Sequence, residues 1–242
     1  MQAVILAAGM GNRLEDLTDD MPKATVKACG KELIRYAIDF ASFDSRIDDM
    51  IIVTGFKSEI LQPVLDSINR KLRIVHNPRF EEGNILSVAT AMDLVDDAFI
   101  MMNVDHIYPN RLISDIISRM DKISGICDND RTLGADDMKV KAASNGTIEK
   151  ISKNLNEFDY GYIGMTTCEK SSLKKYKNAL SEVISNKGTK SCAEDVLGHL
   201  AAEGERVNIC NVSGISWLEI DTKDELINAE DTLCRNRNFL NA

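Results

Sequence analysis

Four short apolar runs in the first half of the chain, each tied to a stretch with helical spacing, constrain the fold most. Ala3–Leu6, Met50–Val53 and Phe99–Met102 are apolar at every residue, and Leu72–Val75 at all but Arg73. Between them, Leu33–Phe43 places Leu33, Ile34, Ala37, Ile38 and Ala41 at helical intervals, and Ile60–Ile68 and Ile85–Leu94 repeat the pattern. Strands apolar on both faces, alternating with helices, predict a parallel sheet covered on both sides. The crossovers are then right-handed, and a ligand sits beyond the carboxyl ends of the strands.

The second half reads differently. Val140–Ala142, Ile148–Ile151 and Tyr160–Met165 are short strands parted by turn residues such as Asn145-Gly146. Helical stretches follow at Leu173–Ile184 and Ala193–Ala202, then strands at Val207–Val212 and Trp217–Ile220 and a terminal helix at Glu225–Leu233. No repeat, low-complexity tract or linker rich in Pro, Gly or Ser divides the 242 residues. One α/β domain over 1–242 is expected, a three-layer α/β/α sandwich with a mixed, mostly parallel sheet, in two halves at 1–109 and 110–242.

A net charge of −9, from 29 Lys plus Arg against 38 Asp plus Glu, argues against nucleic acid as a partner. An anionic ligand would need cations placed locally against that balance. The run Ala3–Ala8 is too short to span a bilayer and has no basic segment before it, and no later run is long enough either, so no membrane insertion and a cytoplasmic protein are expected. The six cysteines, Cys29, Cys127, Cys168, Cys192, Cys210 and Cys234, show no CxxC spacing and read as scattered reduced thiols.

The segment Leu6-Ala7-Ala8-Gly9-Met10-Gly11-Asn12-Arg13-Leu14 follows the first strand. Glycines there let the backbone turn tightly and offer its N–H groups to an anion. No GxxxxGK[ST] loop follows Gly9, and Leu14 stands where a dinucleotide fingerprint needs its third glycine. A GxG alone also suits an ordinary tight turn. Arg13 within the loop and Pro22-Lys23 after it add the cations that phosphate oxygens call for. This LAAGMGNRL…MPKA pattern resembles the signature, GxGxRL followed by PK, of the nucleotidyltransferases that activate sugar phosphates and related phosphates or phosphonates. The resemblance implies a Rossmann-like, glycosyltransferase-A-like nucleotidyltransferase fold. It also implies that Leu6, Ala7, Ala8, Gly9 and Gly11 wrap the nucleotide while Arg13 and Lys23 neutralise its triphosphate.

With only three histidines, a site for Fe, Cu or Zn is not indicated; carboxylates and phosphates suit Mg²⁺. Asp105 lies just past the fourth strand, and alternation along Trp217–Ile220 puts Glu219 and Asp221 on one face. Any one of the acids could equally be a solvated loop residue. The family carries an aspartate at each of the two landmarks, so the resemblance implies that Asp105 and Asp221 hold Mg²⁺, with Glu219 a further candidate. His106 reads as a loop histidine held by local hydrogen bonds. No protein base is required, because the attacking phosphate is already an anion.

Asn77 follows the third strand, and Gly83, Asn84 and Ser87 open the next helix, where they can cap it or read a base edge. The spacing from Asn77 to Gly83-Asn84, with Ser87 following, resembles the members that use CTP. Asp105-His106-Ile107-Tyr108, Asp137–Val140, Ser152–Asp159 and Trp217–Thr222 together look most like the inositol-1-phosphate cytidylyltransferases. Asn103 departs from the glycine common in that family's GDH motif, and Glu219 from a common aspartate. Lys139 and Lys153 suit an acceptor phosphate, and polar groups near Asp159, Tyr160 and Tyr162 suit a polyol head; a choline head would favour an aromatic cage.

These readings predict a Mg²⁺-dependent cytidylyltransferase taking CTP and a small phosphorylated or phosphonate acceptor, foremost inositol-1-phosphate. Phosphocholine, an alkylphosphonate, or a sugar-1-phosphate with UTP or dTTP are the alternatives; a non-catalytic regulatory subunit would be expected to lack Arg13, Lys23 or an aspartate. Some relatives are fused to a membrane transferase, whereas this sequence predicts a separate soluble enzyme, with pairing into a homodimer left open.

Overall fold

A computed structural model of the chain describes residues 1–236 and 238–241. Strands β1 (Gln2–Ala7), β2 (Asp49–Thr54), β3 (Arg73–His76) and β4 (Phe99–Asn103) pair in parallel in the order β4-β1-β2-β3. Helices α1 (Leu33–Ser42), α2 (Ser58–Asp66) and α3 (Asn84–Met92) form the crossovers between them.

Strand β1 shows why its run is apolar throughout. Val4 and Leu6 point into a core shared with Ile85 and Val88 of α3, while Ala3, Ile5 and Ala7 point into the opposite core beside Ile34 of α1 and Leu61 of α2. A strand's alternation therefore serves two helix layers at once.

The chain continues through α4 (Leu112–Ser118), β5 (Ile123–Asp128), β6 (Lys139–Ala142), β7 (Ile148–Ser152) and β8 (Tyr160–Cys168). It ends with α5 (Leu173–Lys187), α6 (Asp195–Ala202), β9 (Val207–Asn211) and α7 (Lys223–Arg235). Antiparallel β8 joins the halves, pairing β5 on one side and β4 and β6 on the other, so the nine strands form one mixed sheet with β9 parallel to β5. The result is a mostly parallel α/β/α sandwich, as the sequence predicts.

Three features differ from the sequence expectations. Strand β5 and helix α4 are additional; Ser124 and Gly125 interrupt the apolar signal of β5. The strand expected at Trp217–Ile220 is a two-residue pairing, Leu218–Glu219 against His106–Ile107, which carries the chain back across the first half. Finally, Cys29 and Cys234 form a disulfide, so those two thiols are not free. Their 205-residue separation leaves no local spacing to read, yet the fold brings their Cα atoms to 6.2 Å, within bonding range. The bond ties the end of α7 to the turn between Lys27–Ala28 and Lys31–Glu32. Among the described residues, no helix is long and apolar enough to cross a membrane.

Candidate active site

The glycine loop leaves the carboxyl end of β1. Gly11 takes a left-handed φ of 75°, and a Cβ there would lie 3.0 Å from the Lys23 Cβ. Glycine is thus required twice, for the turn and for the approach of Lys23. A Cβ on Gly9 would meet nothing within 4 Å, so that side of the loop is open. Lys23 starts a short helical turn after Pro22, pinned where the Thr25 hydroxyl donates to the Pro22 carbonyl at 2.8 Å.

Lys23 is only 6% exposed, and its Nζ donates to Asp105 Oδ2 at 2.6 Å and to Asp221 Oδ1. Arg13 donates to the other oxygen of Asp221 and lies 3.6 Å from Asp136. Asp105 arrives on the loop after β4. Asp221 arrives from the far end of the chain, placed by the Leu218–Glu219 pairing and by the Ile220 amide donating to the Asp105 carbonyl at 3.0 Å. Thr222 then caps α7, with Glu225 accepting from the Asp221 and Thr222 amides at 2.8 and 2.9 Å. Residues 208 positions apart thereby meet at one charge cluster.

Electrostatics follow from burial and pairing. Burial alone would lift the Asp105 carboxyl, but the Lys23 ammonium and His106 outweigh it and hold it well below the usual range. Burial likewise works against the Lys23 charge, yet Asp105 and Asp221 raise its pKa. Glu219 shifts upward because it is buried, with only partial relief from His106.

His106 proves more than a loop residue. Its Nδ1 is 2.6 Å from Asp105 Oδ1, its Nε2 is 3.6 Å from Glu219, and its ring stacks on Tyr108 and Trp217 with centroids 5.8 and 5.0 Å away. Gly164, at φ 77° in β8, leaves the space: a Cβ there would reach 2.9 Å from the imidazole. The imidazole is a clamp that orients Asp105.

Two chambers meet at Asp105. The smaller, about 180 Å³, is lined by Leu6, Ala8, Gly9, Lys23, Asn84 and Ser87, with Phe80 as a wall. The larger, about 450 Å³, is lined by Arg13, Asn84, Lys153, Glu194, Glu219 and Asp221 together with the 134–138 loop. Arg131 braces that loop, donating to Asp128 at 2.9 Å and Asp137 at 3.2 Å while lying 4.4 Å over the Trp217 ring.

Several residues singled out in the sequence lie elsewhere. Ala7 faces the opposite core. Asn77 is buried behind Ser87, donating to its hydroxyl at 3.0 Å and accepting from the Arg79 amide at 2.9 Å, so it braces the smaller chamber. Gly83 serves packing: a Cβ would fall 2.3 Å from the Thr189 carbonyl. Lys139 lines neither chamber, because its Nζ is spent on the Lys153 carbonyl at 2.9 Å. Asp159 is likewise outside, accepting from the Ala142 amide at 2.9 Å and from Lys141. Tyr162 lines the larger chamber and Tyr160 does not. Sequence reasoning missed Phe80, Asp136, Cys192 and Glu194; each sits in a loop with no motif to flag it.

The carboxylates fit a hard divalent cation. Among the described residues no three ligating side chains form a ready metal cluster. Asp105 and Asp221, however, already converge on a cation, the Lys23 ammonium. Two carboxylates with remaining positions left to phosphate oxygens and water are the donor set Mg²⁺ accepts.

Comparison with known proteins places the chain. The profile of the MobA-like NTP transferase domain matches residues 3–132. A bifunctional IPC transferase and DIPP synthase of Rubrobacter xylanophilus is 24% identical over 238 residues, 95% of this chain and 51% of that protein. The choline-phosphate cytidylyltransferase of Streptococcus pneumoniae is 30% identical over 119 residues, 48% of this chain and 50% of that protein. The chain thus spans about half the length of the first of these relatives, and the second aligns along half of each partner. The structure of the inositol-1-phosphate CTP transferase from T. maritima matches with a TM-score of 0.80 and 20% identity, covering 96% of this chain and 95% of that one, a likeness of fold.

Proposed function

We propose, from the premise that this chain belongs to the MobA-like NTP transferase family, that it transfers CMP from CTP to a small phosphate acceptor, foremost inositol-1-phosphate. The observation that carries the reading is the meeting of Lys23 and Arg13 with Asp105 and Asp221 between two chambers. The choice of CTP and of inositol-1-phosphate is supported by what the relatives named above act on, and the alternatives are phosphocholine and phosphonates.

In this reading residues 1–109 hold the nucleotide and 110–242 the acceptor, with Asp221 returning to the first half. The base lies against Asn84 and Ser87 beside Gly83. Arg13 and Lys23 exchange carboxylate partners for triphosphate oxygens, which spares them an uncompensated burial. Asp105 and Asp221, with Glu219 alongside, would hold Mg²⁺, which supplies charge neutralisation for the triphosphate. His106 keeps Asp105 in orientation. Lys153 holds the acceptor phosphate, one oxygen of which attacks the α-phosphorus in line; the bond to the bridging oxygen breaks, and pyrophosphate leaves with its electron pair. Positioning and electrostatics suffice, with no protein base.

A polyol head suits the larger chamber better than choline. Phe158 lies beside Lys139, and Trp217 is occupied by Arg131 and His106, so among the described residues no aromatic cage forms. The test is pyrophosphate release from CTP, UTP and dTTP with Mg²⁺, against inositol-1-phosphate, phosphocholine, aminoethylphosphonate and hexose-1-phosphates. Release only with UTP or dTTP and a hexose-1-phosphate would refute the reading.

A further inference from the structure

The carboxylates around the larger chamber are nearly all engaged. Asp105 and Asp221 meet Lys23, Asp137 meets Arg131, and Glu225 accepts two backbone amides. Glu194 differs. It is 8% exposed and lines the chamber. Its carboxyl is served by its own backbone amide and by the Cys192 thiol, a weak donor, whereas an ionised carboxylate can accept about four hydrogen bonds. Burial pushes that carboxyl's pKa up, with Lys153 offsetting part of the effect.

The backbone around it is fixed on both sides. Asn84, at the start of α3, accepts from the Ala193 amide at 2.9 Å. Asp195 accepts from the Cys192 amide at 2.9 Å and pairs with Lys187 at 2.7 Å. The Thr189 and Ser191 carbonyls rest on Gly83. The backbone that carries Glu194 is thus held in place, and its carboxyl faces the chamber with acceptor positions to spare. A largely buried carboxylate with unfilled acceptor positions gains from a ligand donor, and such a site disfavours ligands that bring none.

We propose that Glu194 accepts a hydrogen bond from a ring hydroxyl of a cyclic polyol monophosphate and so determines which acceptor is used. This rests on the transferase reading above. The same wall carries Lys153, whose ammonium repels a cationic head group but binds the acceptor phosphate. Of the aromatic side chains on the chamber, Tyr162 has its hydroxyl 2.9 Å from that of Thr166, and His106 has its ring stacked between Tyr108 and Trp217. Neither is free to enclose a quaternary ammonium, whereas a hydroxyl needs only the carboxylate oxygen.

The experiment compares wild type, Glu194→Ala and Glu194→Gln in CTP turnover with inositol-1-phosphate and with phosphocholine, alongside the KM for CTP and thermal unfolding. Glu194→Ala is expected to raise the KM for inositol-1-phosphate about tenfold or more, with the CTP KM and the unfolding temperature near wild type. Glu194→Gln keeps a carbonyl acceptor and should lose less. An unchanged acceptor KM in Glu194→Ala overturns the proposal. So does a wild type that prefers phosphocholine and loses it equally in both variants, since the carboxylate would then be an ammonium counter-ion; the transferase reading survives that result. A wild type with no turnover on any acceptor and nucleotide overturns both.

Discussion

The two halves of the molecule hold their chemistry in different ways. In the first half, site residues project from the carboxyl ends of parallel strands: the glycine loop after β1, Asp105 after β4, and Asn84 and Ser87 at the start of α3. In the second half, antiparallel strands leave no shared rim. The wall of the larger chamber is built from loops at 129–138, 153 and 188–194, fixed by the Asn129 amide on Ser213, Lys139 on the Lys153 carbonyl and the Ala193 amide on Asn84. The first arrangement follows from the topology of a parallel sheet, and the second only from particular side-chain contacts. Disturbing each half should therefore fail differently.

The largest effect is expected at the charge cluster. Lys23→Ala should lower turnover by about a thousandfold or more, because triphosphate neutralisation and nucleotide placement are lost together. It also leaves Asp105 and Asp221 buried without their ammonium, a loss of about 3–5 kcal/mol where no other cation takes its place. Thermal unfolding of this variant in EDTA and then in Mg²⁺ reads that directly: a rise in Tm with Mg²⁺ larger than in wild type is expected. Wild-type turnover in the variant would sink the role given to Lys23.

Next comes the bond that closes the chain behind the cluster. Cys234→Ser, or reduction of wild type, should cost about 2–4 kcal/mol of stability. Its effect on turnover should be small at temperatures where the fold persists, since neither cysteine reaches a chamber. Unfolding curves with and without a thiol reductant test it, and coincident curves would mean that the thiols stay unpaired in solution.

Gly83→Ala probes the seam between the halves. Its methyl has no room against the Thr189 carbonyl, so the 188–194 loop must shift, at about 1–3 kcal/mol. Acceptor KM should rise more than CTP KM, because the shifted loop carries Cys192 and Glu194. An equal rise in both would mean that Gly83 matters mainly as an approach for the nucleotide.

How much of this was legible in the sequence follows the same divide. Periodicity marked β1, β2 and β4 and the helices between them, and the cations of the glycine loop stood out because nothing else explains Arg13 and Lys23 there. Asp221 was legible only through the family resemblance, since nothing local says that residues 218–219 pair with 106–107. The disulfide was invisible for the same reason. Lys139 and Asp159 misled because charge in a short strand region says nothing about which way a twisted edge turns it. Glu194 passed unseen because its interest lies in facing the larger chamber from within the fold, which sequence cannot show.

The smallest expected effect makes the sharpest distinction between composition and placement. Asp159 and Lys153 both belong to the stretch that suggested an acceptor site. Lys153 lines the larger chamber, so Lys153→Met should raise the acceptor KM about tenfold with little change for CTP, the loss of a charge-assisted contact. Asp159 spends its carboxylate on the Ala142 amide and the exposed Lys141, which tie β8 to β6 at the sheet's margin. Surface pairs of this kind are worth about 0–1 kcal/mol, so Asp159→Asn should move stability by no more than that and leave the acceptor KM within about twofold. Steady-state kinetics of the two variants side by side decide the matter. Should Asp159→Asn raise the acceptor KM as much as Lys153→Met, the acceptor would extend past the chamber to the sheet margin, and the polyol would be read by the strand residues rather than by the 188–194 loop.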